Sequence, residues 1–149
     1  MKKYVLFLLL LCIVLTGCMK QEVEISLDDH ISIGIMLSDV GLGDQSFSDA
    51  SFSGLIRARE ELNIIFSYRE LADSGTYEQG LVELVEEKHD LIIGLGFMIQ
   101  EDLEKVAKEY PSQNFVLIDA VSTQPNITSI IFKEDEGSFL AGVLAASLT

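Results

Sequence analysis

The chain has 149 residues, nearly half of them hydrophobic, with 24 acidic against 10 basic side chains and a formal charge of −14. That length suits one domain of ordinary size. So acidic a surface repels nucleic acid and anionic lipid headgroups, which excludes both as partners of the folded part.

The N-terminus reads as an export signal. Lys2 and Lys3 form a short positive region, Tyr4 to Leu15 is almost unbroken apolar sequence, and Leu15-Thr16-Gly17-Cys18 follows. The apolar run is shorter than the about 20 residues of an ordinary spanning helix. A cysteine behind small residues points to anchoring rather than release, because a thiolate is nucleophilic enough to be alkylated by a lipid. A plain signal that happens to contain cysteine is the alternative. On the anchored reading, residues 1–17 are a signal peptide and Cys18 is the lipid attachment site. Cys12 would leave with the signal, so no disulfide is expected in the mature chain. Losing Lys2 and Lys3 takes the formal charge from −14 to −16. Several acyl chains at about 0.8 kcal/mol per buried methylene anchor firmly where one is marginal. The polar, acidic residues 18–30 read as a tether.

From Ile31 onward, short apolar runs alternate with amphipathic ones. Ile31 to Leu37 is a strand, followed by a loop rich in Gly, Asp and Ser. The spacing predicts a helix over Phe47 to Leu62, with Phe52, Leu55, Ile56, Ala58 and Leu62 on or near one face. Ile64 to Tyr68 is a second strand. Asp73-Ser-Gly-Thr76 is a capping-type start to a helix over Tyr77 to Lys88, with Leu81, Leu84 and Val85 inward. Asp90 to Leu95 is a third strand, its continuous apolar run suited to burial on both faces. Ile99 to Tyr110 is helical and closed by Pro111. Asn114 to Ile118 and Thr128 to Phe132 are further strands. Glu134 opens a last helix, with acids where the helix dipole favours them. This alternation predicts an α/β fold, a doubly wound and mainly parallel sheet with helices on both faces. The sequence stops at Thr149 inside an apolar helix, which reads as a fragment of a longer protein.

Ligands of such folds sit outside the carboxyl ends of the strands. That rule selects Ser38 to Ser48, Gly96 to Phe97, and Asp119 to Ser122. In the first stretch, Asp39, Ser46 and Ser48 offer polar contacts beside the ring of Phe47, a combination suited to a flat heterocycle with a donor edge. Spacing alone leaves open a simpler reading, in which Ser and Asp cap the helix and Phe47 packs inward. Gly96 and Phe97 can bring backbone and an aromatic ring to a ligand's edge. Position 99 is Ile, so the third glycine of a dinucleotide fingerprint is missing, and there is no P-loop. Asp119 closes a buried strand, where a carboxylate caps a turn or accepts from both hydroxyls of a sugar diol.

Signs of catalysis are few. His30 falls in the tether and His89 reads as a solvated helix-end residue; they show no metal spacing, and no nucleophile elbow occurs. Glu83, Glu86 and Glu87, like Glu101, Asp102 and Glu104, read as solvated helix faces. No enzyme activity, cofactor or metal is expected.

Leu15 to Cys18, Ser38-Asp-Val-Gly-Leu-Gly-Asp-Gln-Ser-Phe47, Asp90 to Phe97, Val106 to Pro111, Leu117 to Asp119 and Phe132 to Ala146 occur in an order that resembles the basic membrane protein family, nucleoside-binding lipoproteins of ABC importers. The resemblance covers nearly the whole chain. It implies the N-terminal lobe of a type I periplasmic-binding-protein fold over 31–149, with a second lobe missing, and a protein anchored on the extracytoplasmic face of the cell membrane. It also implies a nucleoside ligand and a membrane permease as partners. By that resemblance Asp39 bonds the base, Phe47 stacks on it and Asp119 holds the ribose. Ser48 stands where many members have Asn, and the loop after Asp39 is one residue shorter than the common form; both departures bear on purine specificity. A surface sensory lipoprotein using the same cleft without transport is the alternative.

Overall fold

The computed structural model describes residues 30–148. The expected signal peptide, the Cys18 attachment site and the tether up to residue 29 lie outside the described residues.

Among the described residues there are five strands, β1 (Ile31–Met36), β2 (Ile64–Arg69), β3 (Leu91–Leu95), β4 (Phe115–Ile118) and β5 (Ile127–Ile130). The helices are α1 (Phe47–Leu62), α2 (Leu71–Ser74), α3 (Tyr77–Glu86), α4 (Gln100–Glu109) and α5 (Glu134–Ser147), with a 3-10 turn at Phe97–Ile99 before α4. All strand pairs are parallel, in the order β2-β1-β3-β4-β5. The expected α/β class and parallel sheet are therefore present.

Two cores flank the sheet. On one side Leu81 and Leu84 of α3 and Leu103, Val106 and Ala107 of α4 close over Met36, Ile92, Phe115 and Leu117. On the other, Leu55 of α1 joins Ile35, Leu37, Ile64 and Leu95. Each fully buried Leu, Ile or Phe contributes about 1.5–3 kcal/mol of transfer free energy. Two glycines in the strands let helices approach this closely. A Cβ on Gly94 would lie 2.8 Å from Leu103 Cδ1, and one on Gly34 3.0 Å from Leu84 Cδ2.

Some expectations need correction. Asp73 and Ser74 belong to the one-turn helix α2, closed by Gly75 at φ 78°, whose N–H donates to Leu71 O. The cap of α3 is Thr76 alone, its hydroxyl accepting from Gln79 N at 3.1 Å. Leu62 is 70% exposed, because it ends α1 just before the chain reverses at the left-handed Asn63. His30 is tied to the domain rather than to a tether, its Nδ1 2.9 Å from Asn63 O.

His89 is not solvated either. Its side chain is 8% exposed, with Nδ1 2.6 Å from Ser32 Oγ and Nε2 2.6 Å from Ser67 Oγ and 2.9 Å from Glu87 Oε2. Glu83 and Glu87, expected on a solvated face, both pair with Arg69. Ser32 is the second residue of β1 and His89 precedes β3, so this polar network sits away from the carboxyl ends of those strands. It ties the end of α3 to the sheet.

Candidate functional site

β1 lies between β2 and β3, so the crossovers leaving β1 and entering β3 run to opposite sides. That reversal opens a crevice beyond the carboxyl ends of β1 and β3, the place where this class of sheet holds ligands. A cavity of about 350 Å³ lies there, lined by Ser38, Asp39, Val40, Asp44, Ser46, Phe47, Leu95, Gly96, Phe97, Met98 and Asp119. Its size is at the lower end of small-molecule sites.

The wall after β1 is held by carboxylates. Asp44 accepts from the N–H groups of Ser46, Ser48 and Asp49 at 2.8, 2.8 and 3.1 Å. Led by Ser48 N–H, these donors hold the Asp44 carboxyl below its ordinary range, against a smaller opposing effect of burial. Asp49 in turn accepts from Gly43 N and Gln45 N at 2.8 and 2.9 Å. Glu70, at the end of β2, accepts from Leu42 N at 2.6 Å. Gly41 makes that contact possible: at φ 72°, any Cβ there would lie 2.3 Å from Glu70 Oε1. In the first turn of α1 the N–H groups of Ser48 and Asp49 are therefore already occupied by the chain's own acid.

Phe47 packs inward, as the simpler reading expects, and also reaches the cavity, while Ser46 at the α1 N-cap makes no side-chain cap bond. The Phe47 ring is half-buried, packs against the core on the α1 face and still lines the cavity. Across the crevice, Gly96 stands at φ 94° and its N–H donates to Ile118 O at 3.0 Å. A Cβ there would lie 3.6 Å from Phe47 Cε1, so the glycine leaves that ring uncovered. Phe97 is 66% exposed at the rim beside Met98.

Asp119 adopts φ 66°, a left-handed conformation that Asp tolerates better than most side chains, and its N–H donates to Ile130 O at 2.7 Å. Its carboxylate lies near Glu134 and raises the pKa of that side chain. The residues after Asp119 turn away, with Ser122 N–H donating to Ser129 Oγ at 2.9 Å.

Of the six ligand residues expected from sequence, Asp39, Phe47, Gly96, Phe97 and Asp119 share this one cavity. Ser48 does not line it. Its side chain is fully buried, with Oγ 2.6 Å from Ser38 Oγ, so it sits behind the wall and orients the serine that faces the cavity. Asp44, Ser38 and Met98 are lining residues that the sequence reading did not single out. An acid two residues before the serine at the α1 N-cap position was the available signal for Asp44.

Chemically, the cavity offers aromatic and aliphatic faces, the carboxylates of Asp39, Asp44 and Asp119, and no Lys, Arg or His among its lining residues. It can accept hydrogen bonds from a flat, hydroxyl-bearing ligand and repels anions. Among the described residues no group of His, Cys, Asp and Glu could hold a metal ion.

Comparison with known proteins bears on the family and the fold. The profile of the family described as ABC transporter substrate-binding protein, PnrA-like, matches residues 31–149. A lipoprotein of Pyrococcus abyssi is 31% identical over 144 residues, covering 94% of this chain and 36% of that protein. The ABC transporter nucleoside-binding protein BmpA of Lactococcus lactis is 28% identical, covering 91% of this chain and 41% of that one. A crystal structure of an ABC transporter solute-binding protein from Aeropyrum pernix superposes with a TM-score of 0.71 at 37% identity, covering 78% of this chain and 32% of that one. The chain thus spans well under half the length of each.

Proposed function

Since the chain belongs to the PnrA-like family of ABC transporter substrate-binding proteins, we propose that it forms the N-terminal lobe of a lipoprotein that binds a nucleoside and presents it to a membrane permease. The observation that carries this reading is the convergence of Asp39, Phe47 and Asp119 on one cavity at the topological switch between β1 and β3. In this reading Phe47 stacks on the base, Asp39 accepts from its donor edge, and Asp119 accepts from the ribose hydroxyls. Gly96 lets the base approach the backbone, and Phe97 covers its edge. Ser48 acts from behind, through Ser38.

The ligand class follows from charge. A phosphate would need free helix N–H groups or a cation, yet Asp44 occupies the α1 N-terminus and the lining residues include no basic side chain. The unphosphorylated nucleoside is favoured over its nucleotide. Because this lobe forms one wall, the second lobe implied by the family's architecture supplies the other. Anchoring is through a lipid on Cys18, on the extracytoplasmic face of the cell membrane.

Calorimetric titration of the complete two-lobed protein with inosine, guanosine, adenosine and their monophosphates tests the reading, this single lobe being expected to bind weakly or not at all. Binding of a nucleoside, lost when Asp39, Phe47 and Asp119 are all replaced by alanine, is expected. Unchanged binding in that triple variant, or tighter binding of the monophosphate, refutes the site. Incorporation of a labelled fatty acid, abolished by Cys18→Ala, tests the anchor.

A further inference from the structure

Sulfur is scarce in the folded part of the chain. Cys12 and Cys18 lie outside the described residues, which leaves Met36 and Met98 as the sulfur-bearing side chains among them. Their surroundings are opposite. Met36 ends β1 and is fully buried, its Sδ 2.6 Å from where a Cβ on Gly80 would stand. Met98 lies in the 3-10 turn Phe97–Ile99 and is 58% exposed. Ile99, fully buried at the end of that turn, anchors it in the core and leaves Met98 on the cleft wall with Asp39, Asp44, Phe47 and Asp119. Among the described residues, the thioether that solvent reaches is therefore also a wall of the ligand cavity.

An exposed thioether is open to peroxide, and a buried one is not. The sulfur lone pair takes one peroxide oxygen as the O–O bond breaks. The departing hydroxide collects the proton of the transferred oxygen and leaves as water, so sulfur loses two electrons and the peroxide gains them. A flexible apolar side chain thereby becomes a polar, chiral one. Its new oxygen accepts hydrogen bonds but donates none, and the charged side chains lining the cavity are carboxylates, which offer it no hydrogen.

We propose that Met98 is a modification site in the cleft: hydrogen peroxide converts its sulfur to the sulfoxide, which weakens ligand binding, and reduction of the sulfoxide restores it. A ligand seated on that wall buries the added oxygen beside Asp39, Asp44 and Asp119. An acceptor buried there without a donor corresponds to about a five- to hundredfold loss of affinity. The ligand in this proposal is that of the nucleoside reading, on which it rests, whereas the reactivity of Met98 is independent of it.

Peptide mass mapping after graded exposure of the folded protein to hydrogen peroxide tests the reactivity. Met98 is expected to gain its oxygen well ahead of Met36, and equal or reversed rates overturn the proposal. The complete two-lobed protein, treated with peroxide and then freed of it, is next titrated with inosine, guanosine and adenosine, with circular dichroism as the check on its fold. Wild type is expected to lose about five- to hundredfold in affinity. Methionine sulfoxide reductases for both sulfur epimers should restore it. Met98→Leu, whatever its own starting affinity, should bind equally before and after treatment. A bound nucleoside should slow oxidation of Met98 and leave that of Met36 unchanged. Affinity unmoved by oxidation of Met98, an equal loss in Met98→Leu, or no protection by a bound nucleoside overturns the proposal. If untreated wild type binds none of the three nucleosides, the proposed function has failed, and the order in which Met98 and Met36 react alone decides the modification site.

Discussion

Replacing Gly94 with alanine tests the packing that carries the cleft. Gly94 lies in β3, fully covered, with α4 directly over it. The added Cβ would meet Leu103 Cδ1 at 2.8 Å and Ile99 Cγ2 at 3.2 Å, against the 3.4 Å at which ordinary contact begins. Leu103 must therefore retreat by 3.4 − 2.8 = 0.6 Å, and both it and Ile99 are 0% exposed, with no free space to enter. Overpacking of this kind costs about 1–3 kcal/mol. With a urea m-value of about 1–3 kcal/mol/M, the unfolding midpoint should fall by roughly 1 M. Ile99 ends the turn that holds Phe97 and Met98, so their NMR signals should shift as well. Adding Leu103→Ala, which alone costs about 2–5 kcal/mol, makes room for the new methyl. The double variant should be clearly more stable than the two separate losses predict. Gly94→Ala with wild-type stability, or strictly additive losses, would refute the packing account.

Further outcomes follow from the same geometry. Gly41→Ala forces a side chain into a left-handed position, at about 1–2 kcal/mol, and displaces Glu70 from Leu42 N–H; denaturation should show the loss, with weaker ligand binding beside it. Glu87 is held below its ordinary 4.5 by Ser67, His89 and Arg69, although burial, the largest single influence, acts the other way. Its pKa is lower folded than unfolded, so its stabilisation is complete above 4.5 and is lost as pH falls through the folded value. Glu87→Gln should flatten that acid limb in denaturation curves recorded at a series of pH values. Glu134 has the opposite sign: neighbouring Asp119 raises its pKa, so the fold favours its protonated form, and that contribution is lost as pH rises past its folded value. NMR signals of the α5 N-terminus should move over that range in wild type and stay still in Glu134→Gln.

Much of the fold is legible from residue periodicity. Apolar runs bounded by Gly, Asp and Asn mark β1 to β5 within a residue or two, and α1 falls on Phe47 to Leu62 as its spacing predicts. The strand-end rule then selects the loops that line the cleft. Tertiary structure decided the rest. Periodicity says which side chains turn inward but not which strands are neighbours, and the order β2-β1-β3 places Asp39 opposite Gly96. His89 follows a helix end like many solvated residues, and only the packing of β1 beside β2 brings Ser32 and Ser67 to its ring, beside the nearby Glu87. Phe47 and Ser48 look alike as cleft candidates in sequence. One residue along a helix turns the side chain by about 100°, so when α1 docks on the sheet, Phe47 is left at the cavity and Ser48 is buried against Ser38.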